Sequence, residues 1–219
     1  MPPDQNQTSQ YAPEVLERRY RSICGRIERA CESAARSPDA VTLVAVTKTH
    51  PVGAIRRIYD LGHRHFGASY VQEWQQKAPE LPEDIEWHFI GHLQSNKAKY
   101  VAGKVALVHS VDRRSVTKQL DKRSDERADV LLQVNIAEQE SKSGVEPDGL
   151  IDLCELTREY PGVRVRGLLT LPPYVDDPED NRPRFARMGD LFDQAKAWFE
   201  ANAPEDAAAR GSLGGACFQ

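Results

Sequence analysis

No CxxC pair occurs among the four cysteines of this 219-residue chain, Cys24, Cys31, Cys154 and Cys217, and none clusters with histidine at metal-ligand spacing. That excludes a dithiol redox motif or a zinc finger and makes reduced thiols the expectation. GxGxxG does not follow the first strand signal, and GxxxxGKS/T appears nowhere, so the two commonest nucleotide-binding signatures are missing. There is no apolar run of membrane-spanning length, roughly 18 residues or more, and the opening MPPDQNQTSQ has no apolar signal-peptide core. Positive charge is not in excess either: the net charge is −4, which argues against a nucleic-acid-binding face. These absences lead to an expectation of a cytoplasmic protein with neither membrane nor nucleic-acid partners.

What is present is an ordinary globular composition, 40 % hydrophobic and 28 % charged, in a chain long enough for a sizeable core. Residues 1–12 are expected as a disordered tail and 13–219 as a single domain. Apolar residues recur at helical spacing from Pro13 to about Arg36. Strand signals follow at 41–47, around 63–66, and at 85–90, 105–109, 130–136 and 163–171, with a possible seventh at 211–216. Helical patterns separate them: one from Pro51 closed by Gly62, one through Val71 and Trp74, one with Ser95 as cap, one with Asp112 as cap, one from Leu150, and a last one carrying Phe185, Met188 and Phe199. Strict alternation means a parallel α/β architecture, either a (β/α)8 barrel or an open doubly wound sheet.

One stretch organises the rest. Val41 to Val46 is apolar or β-branched throughout, the pattern of a strand buried on both faces, and it ends in a lone cation, Lys48, just before the helix that His50-Pro51 opens. Ligands and catalytic groups collect at that edge of α/β folds. A lysine amine there can condense with a carbonyl as a Schiff base when an apolar surrounding favours its neutral form. The plainer alternative is a side chain that snorkels from the strand end into solvent.

Six segments, LVAVTKTHP, FGASYVQE, EWHFIGHLQSNK, VNIAEQESKSGV, RGLLTLPP and FARMGDLFD, occur in an order and at spacings that resemble the pyridoxal-phosphate homeostasis proteins. The resemblance spans about residues 13–215. It implies a (β/α)8 TIM-type barrel like the amino-terminal domain of alanine racemase, with Lys48 holding pyridoxal 5′-phosphate (PLP) as a Schiff base. It also implies cofactor-binding roles for Ser69, Ser212 and Gly214. Two departures stand out. Ala68-Ser69 replaces the family's glutamate-asparagine pair, and serine lacks the amide's paired donor and acceptor. Ser212-Leu213-Gly214 resembles the family's serine-methionine-glycine phosphate segment, but the strand and arginine-isoleucine-glycine turn that follow in the family have no counterpart. The last βα unit is therefore expected to be incomplete, with weakened stability and cofactor retention.

The function implied is a monomeric, non-catalytic carrier that buffers PLP inside the cell and exchanges it with PLP-dependent apo-enzymes. The alternatives are a PLP-dependent racemase or lyase acting on amino acids, and a degraded fold kept as an interaction surface. Several other residues have plain readings beside functional ones. His63 and His65 share a strand face without a carboxylate that would complete a metal site. His88 and His92 flank a strand end, as structural or cofactor-adjacent groups. Asn96 and Lys97 belong to a helix start, with a role near the barrel mouth as the alternative that the resemblance implies. Lys142 of SKSG either steers phosphate or is a solvated loop residue. Met188 is core, and Arg18, Arg19 and Arg21 form the polar side of a helix.

Overall fold

The computed structural model describes residues 11–123, 127–139 and 142–202, and the backbone of 215–218. The chain forms two compact units, Met1–Trp87 and His88–Gln219, with the boundary inside a strand.

In the first unit, α1 (Pro13–Ser33) leads to β1 (Ala45–Val46), α2 (Val52–Asp60), β2 (His65–Ala68) and α3 (Val71–Lys77), and β3 (Glu86–Phe89) begins. β1 pairs parallel with β2 in the register Ala45 to Phe66 and Val46 to Gly67. Ala54, Ile55, Phe66, Ala68, Val71, Trp74 and Trp87 are buried here. The apolar 41–46 run thus makes a shorter strand than expected. Val41 is 39 % and Val46 44 % exposed, so the run is not buried on both faces. Strand length is set by the partner as well as by apolar content, and β2 offers β1 two registered positions. Pro51 caps α2 instead of opening it, and Leu61 ends it with Gly62 at φ +96° beyond, where a C′ glycine belongs.

In the second unit, β3 pairs with β4 (Leu107–Val111), β4 with β5 (Ala128–Val134), β5 with β6 (Val163–Thr170), and β6 with β7 (Gly215–Phe218), all parallel. A 3-10 helix (Ser95–Tyr100), α4 (Arg114–Asp121), α5 (Leu150–Arg158) and α6 (Arg182–Ala201) connect them. β5 is the strand with the buried pattern: six of its residues are buried, and seven positions register with β6. Met188 is fully buried, as expected of core. Ser95 and Asp112 are not caps; Gln94 and Arg113 hold those positions, and the Asp112 carboxylate is bonded to the Arg113 guanidinium.

Cys24, Cys31 and Cys154 are free thiols. Among the described residues no helix is long and apolar enough to cross a membrane, and no group of three histidine, cysteine or acidic side chains is placed to hold a metal ion.

Candidate functional site

Lys48 lies in the turn that leaves β1. The turn is closed by the His50 N–H donating to the Thr47 carbonyl at 3.1 Å, so Lys48 and Thr49 are its two central residues. Thr49 has φ +64°, a left-handed conformation that glycine or asparagine ordinarily takes and a β-branched residue rarely does. The Thr47 N–H and hydroxyl both donate to the Gly67 carbonyl, at 2.8 and 3.0 Å, which anchors the near side of the turn to β2.

Two side chains of α3 hold the far side. The Lys77 ammonium donates to the carbonyls of Thr47 at 3.1 Å and His50 at 2.5 Å, and to the Glu73 carboxylate. All three of its N–H groups are thereby used. Glu73 also accepts the Thr49 N–H at 2.7 Å. Burial alone would push the Glu73 carboxyl up, but its bonds from Lys77 and the Thr49 N–H, with the nearby charges, hold it below the usual carboxylate range. Val71 and Trp74 bury one face of α3, and the i, i+4 pair Glu73 and Lys77 reaches the β1 exit from that helix.

Lys48 itself is exposed, not enclosed by the apolar side chains expected around a buried strand end. Among the described residues no hydrogen bond or ion pair engages its amine. Ser69 follows β2, two positions past Gly67, as Lys48 is two positions past Val46, so the parallel register sets the two at neighbouring strand exits. Ser69 is half-buried and Ala68 buried. Ser212 and Gly214 lie outside the described residues. An accessible, unengaged amine with a hydroxyl at the neighbouring exit suits the aldehyde end of a pyridoxal group.

The second unit has its own knot of polar side chains. Arg113 donates to His92 Nε2 at 3.1 Å and to the Leu93 carbonyl at 2.8 Å, while His92 Nδ1 lies 3.1 Å from the Ser143 hydroxyl. Gln133 donates to the Ser143 carbonyl, and Lys142 donates to the carbonyls of Leu171 and Pro172, both at 3.1 Å. The loops leaving β3, β4, β5 and β6 are so tied to one another. Lys142 is half-buried, and its two bonds tie it to the chain just past β6. His63 is structural too: its ring bonds the Tyr20 hydroxyl and the His65 carbonyl.

Sequence reasoning singled out Lys48 but missed Thr49, Glu73 and Lys77. Glu73 stands inside the FGASYVQE segment, and its i, i+4 relation to Lys77 was legible, but nothing in the chain order connects that pair to residue 49.

The chain matches the family described as alanine racemase, N-terminal domain, over residues 25–214. It is 42 % identical over 190 residues to the pyridoxal phosphate homeostasis protein of Aquifex aeolicus, covering 85 % of this chain and 83 % of that one. The chain belongs to the pyridoxal phosphate homeostasis protein family. The Pasteurella multocida protein of the same name is 36 % identical over 188 residues, covering 83 % of this chain and 81 % of its own. Among solved structures, PipY of Synechococcus elongatus with PLP bound is 31 % identical with a TM-score of 0.65, covering 78 % of this chain and 82 % of PipY. Alanine racemase from Corynebacterium glutamicum, 16 % identical with a TM-score of 0.58, covers 77 % of this chain and 48 % of its own, and shares the fold alone. The α/β fold is that of the alanine racemase amino-terminal domain.

Proposed function

We propose that this protein binds PLP and serves intracellular PLP homeostasis, holding the cofactor as a Schiff base on Lys48 without turning over a substrate. The observation that carries the proposal is the accessible, unengaged Lys48 amine on a braced turn at the β1 exit, in a family whose relatives carry that name and whose PipY structure has PLP bound. When bound, PLP supplies an aldehyde carbon for condensation. Lys48 would hold the cofactor through its side-chain nitrogen, with water released on attachment. Ser69, at the neighbouring strand exit, would offer its hydroxyl to a ring substituent, and Ser212 and Gly214 would hold the phosphate, as the family resemblance implies. An open, accessible amine suits loading and unloading of cofactor, and thus exchange with PLP-dependent apo-enzymes.

The test is borohydride reduction of the chain incubated with PLP, followed by peptide mass mapping. The expected adduct is on Lys48 and disappears in Lys48→Ala. Attachment to a different lysine, or none, overturns the assignment. Racemisation or deamination of amino acids above the rate of free PLP would replace the carrier with an enzyme.

A further inference from the structure

We propose that Glu73 and Lys77 are positioning residues for Lys48, acting together as a brace that holds the turn from Thr47 to His50 in the conformation that presents the amine. The proposal rests on the reading of Lys48 as the PLP-bearing residue. Neither side chain touches the amine; both act through the backbone on either side of it.

A threonine at φ +64° is disfavoured by its branched Cβ, and such a conformation persists only where its surroundings over-determine it. Here they do. Lys77 grips the carbonyls one residue before and two residues after Lys48, and Glu73 grips the N–H one residue after it. With the closing His50 to Thr47 bond, four polar contacts fix a four-residue turn whose second residue is left unengaged. The pair is sheltered: the Lys77 side chain keeps 14 % and Glu73 25 % of its exposure, so water competes weakly for these bonds. An exposed ion pair would contribute little, whereas a partly buried pair with every ammonium donor engaged is a rigid element. Preorganisation of this kind fixes the direction in which a flexible lysine stem leaves the backbone, and misplacement of a reacting atom by about 1 Å slows a condensation by up to about 100-fold.

The experiment uses the full chain and three variants: Lys77→Met, which removes the ammonium at similar length; Lys77→Arg, which restores a cation and several donors; and Glu73→Gln, which keeps an acceptor for Thr49 but loses the charge that holds Lys77. Two quantities are read: the rate at which limiting PLP becomes trapped on Lys48 by borohydride, and amide hydrogen exchange at Thr49 in the cofactor-free chain. Circular dichroism checks that each variant is folded. Expected are Lys48 trapping slowed about tenfold in Lys77→Met, a smaller slowing in Glu73→Gln, faster Thr49 exchange in both, and recovery of most of the rate in Lys77→Arg. Folded Lys77→Met that traps PLP on Lys48 at the parent rate overturns the brace while leaving the Lys48 assignment standing. If Lys77→Met does not fold, unchanged trapping and exchange in Glu73→Gln overturn it instead. Trapping of the parent chain on another lysine removes the Lys48 reading, and the brace with it.

Discussion

His88 Nδ1 lies 2.9 Å from His109 Nε2 in the interior of the second unit, where the two residues keep 8 % and 1 % of their exposure. A bond between two ring nitrogens needs one hydrogen and one lone pair, so the two rings cannot both be protonated while it persists. Burial, and then the neighbouring His88, push His109 down to about 3.

This sets the sign of an acid effect. An imidazole in the unfolded chain titrates at about 6.5, so on acidification the unfolded chain binds a proton that the folded chain refuses. The stabilisation is fully present above that value and is lost as pH falls toward the folded value. His63, lowered by burial against the opposing bond to the His65 carbonyl, acts in the same direction. Urea unfolding is expected to show stability declining from about pH 7 to about pH 5, ahead of carboxylate titration, with a shallower decline in His109→Gln. Equal slopes for parent and variant would contradict this.

Gly144 is required by space and backbone conformation alike. It has φ +117°, and a Cβ there would come within 2.8 Å of the Asn135 nitrogen and 3.0 Å of the Val134 carbonyl carbon, both main-chain atoms that cannot step aside cheaply. Gly144→Ala is expected to cost at least ~2 kcal/mol in denaturant unfolding and to loosen the SKSG loop. A loss under about 0.5 kcal/mol would show that the loop yields.

Thr49 separates conformation from hydrogen bonding. Glycine accepts φ +64° and keeps the N–H that Glu73 holds, so relief of strain offsets the added unfolded-chain entropy and Thr49→Gly should stay within ~1 kcal/mol of the parent. Thr49→Pro removes the N–H and imposes a negative φ, and a loss of ~3 kcal/mol or more is expected. Thermal melts of the two variants check the contrast; comparable losses in both would mean that the N–H to Glu73 contact does not hold the turn.

Ser69→Asn tests the neighbouring strand exit. The amide carries both donor and acceptor groups where serine has a single hydroxyl, and one added hydrogen bond is worth about 0.5 to 1.5 kcal/mol. Equilibrium titration should therefore show PLP held about twofold to tenfold more tightly. Unchanged affinity would place Ser69 away from the cofactor.

Much of the architecture was readable in advance because it follows from periodicity. The run 130–136 marks β5 to within two residues, and Leu150, Leu153 and Cys154 mark the buried face of α5. Errors gathered at the ends. Asp112 has a cap's chemistry, but its carboxylate is engaged by Arg113 and the helix starts later. The apolar 41–46 run pairs at only two positions, because apolar content sets what a strand can bury while its neighbour sets how many residues pair.

The order of residues alone determined a parallel α/β protein of this family, with a single lysine at the exit of its first strand signal, since local pattern and motif suffice for both. Only the tertiary structure decided what braces that lysine. Lys77 meets Thr47 across 30 positions and Lys142 meets Leu171 across 29. Parallel strands return the chain to the same edge after every helix, so the carbonyls and side chains that finish each exit come from segments that no local pattern links.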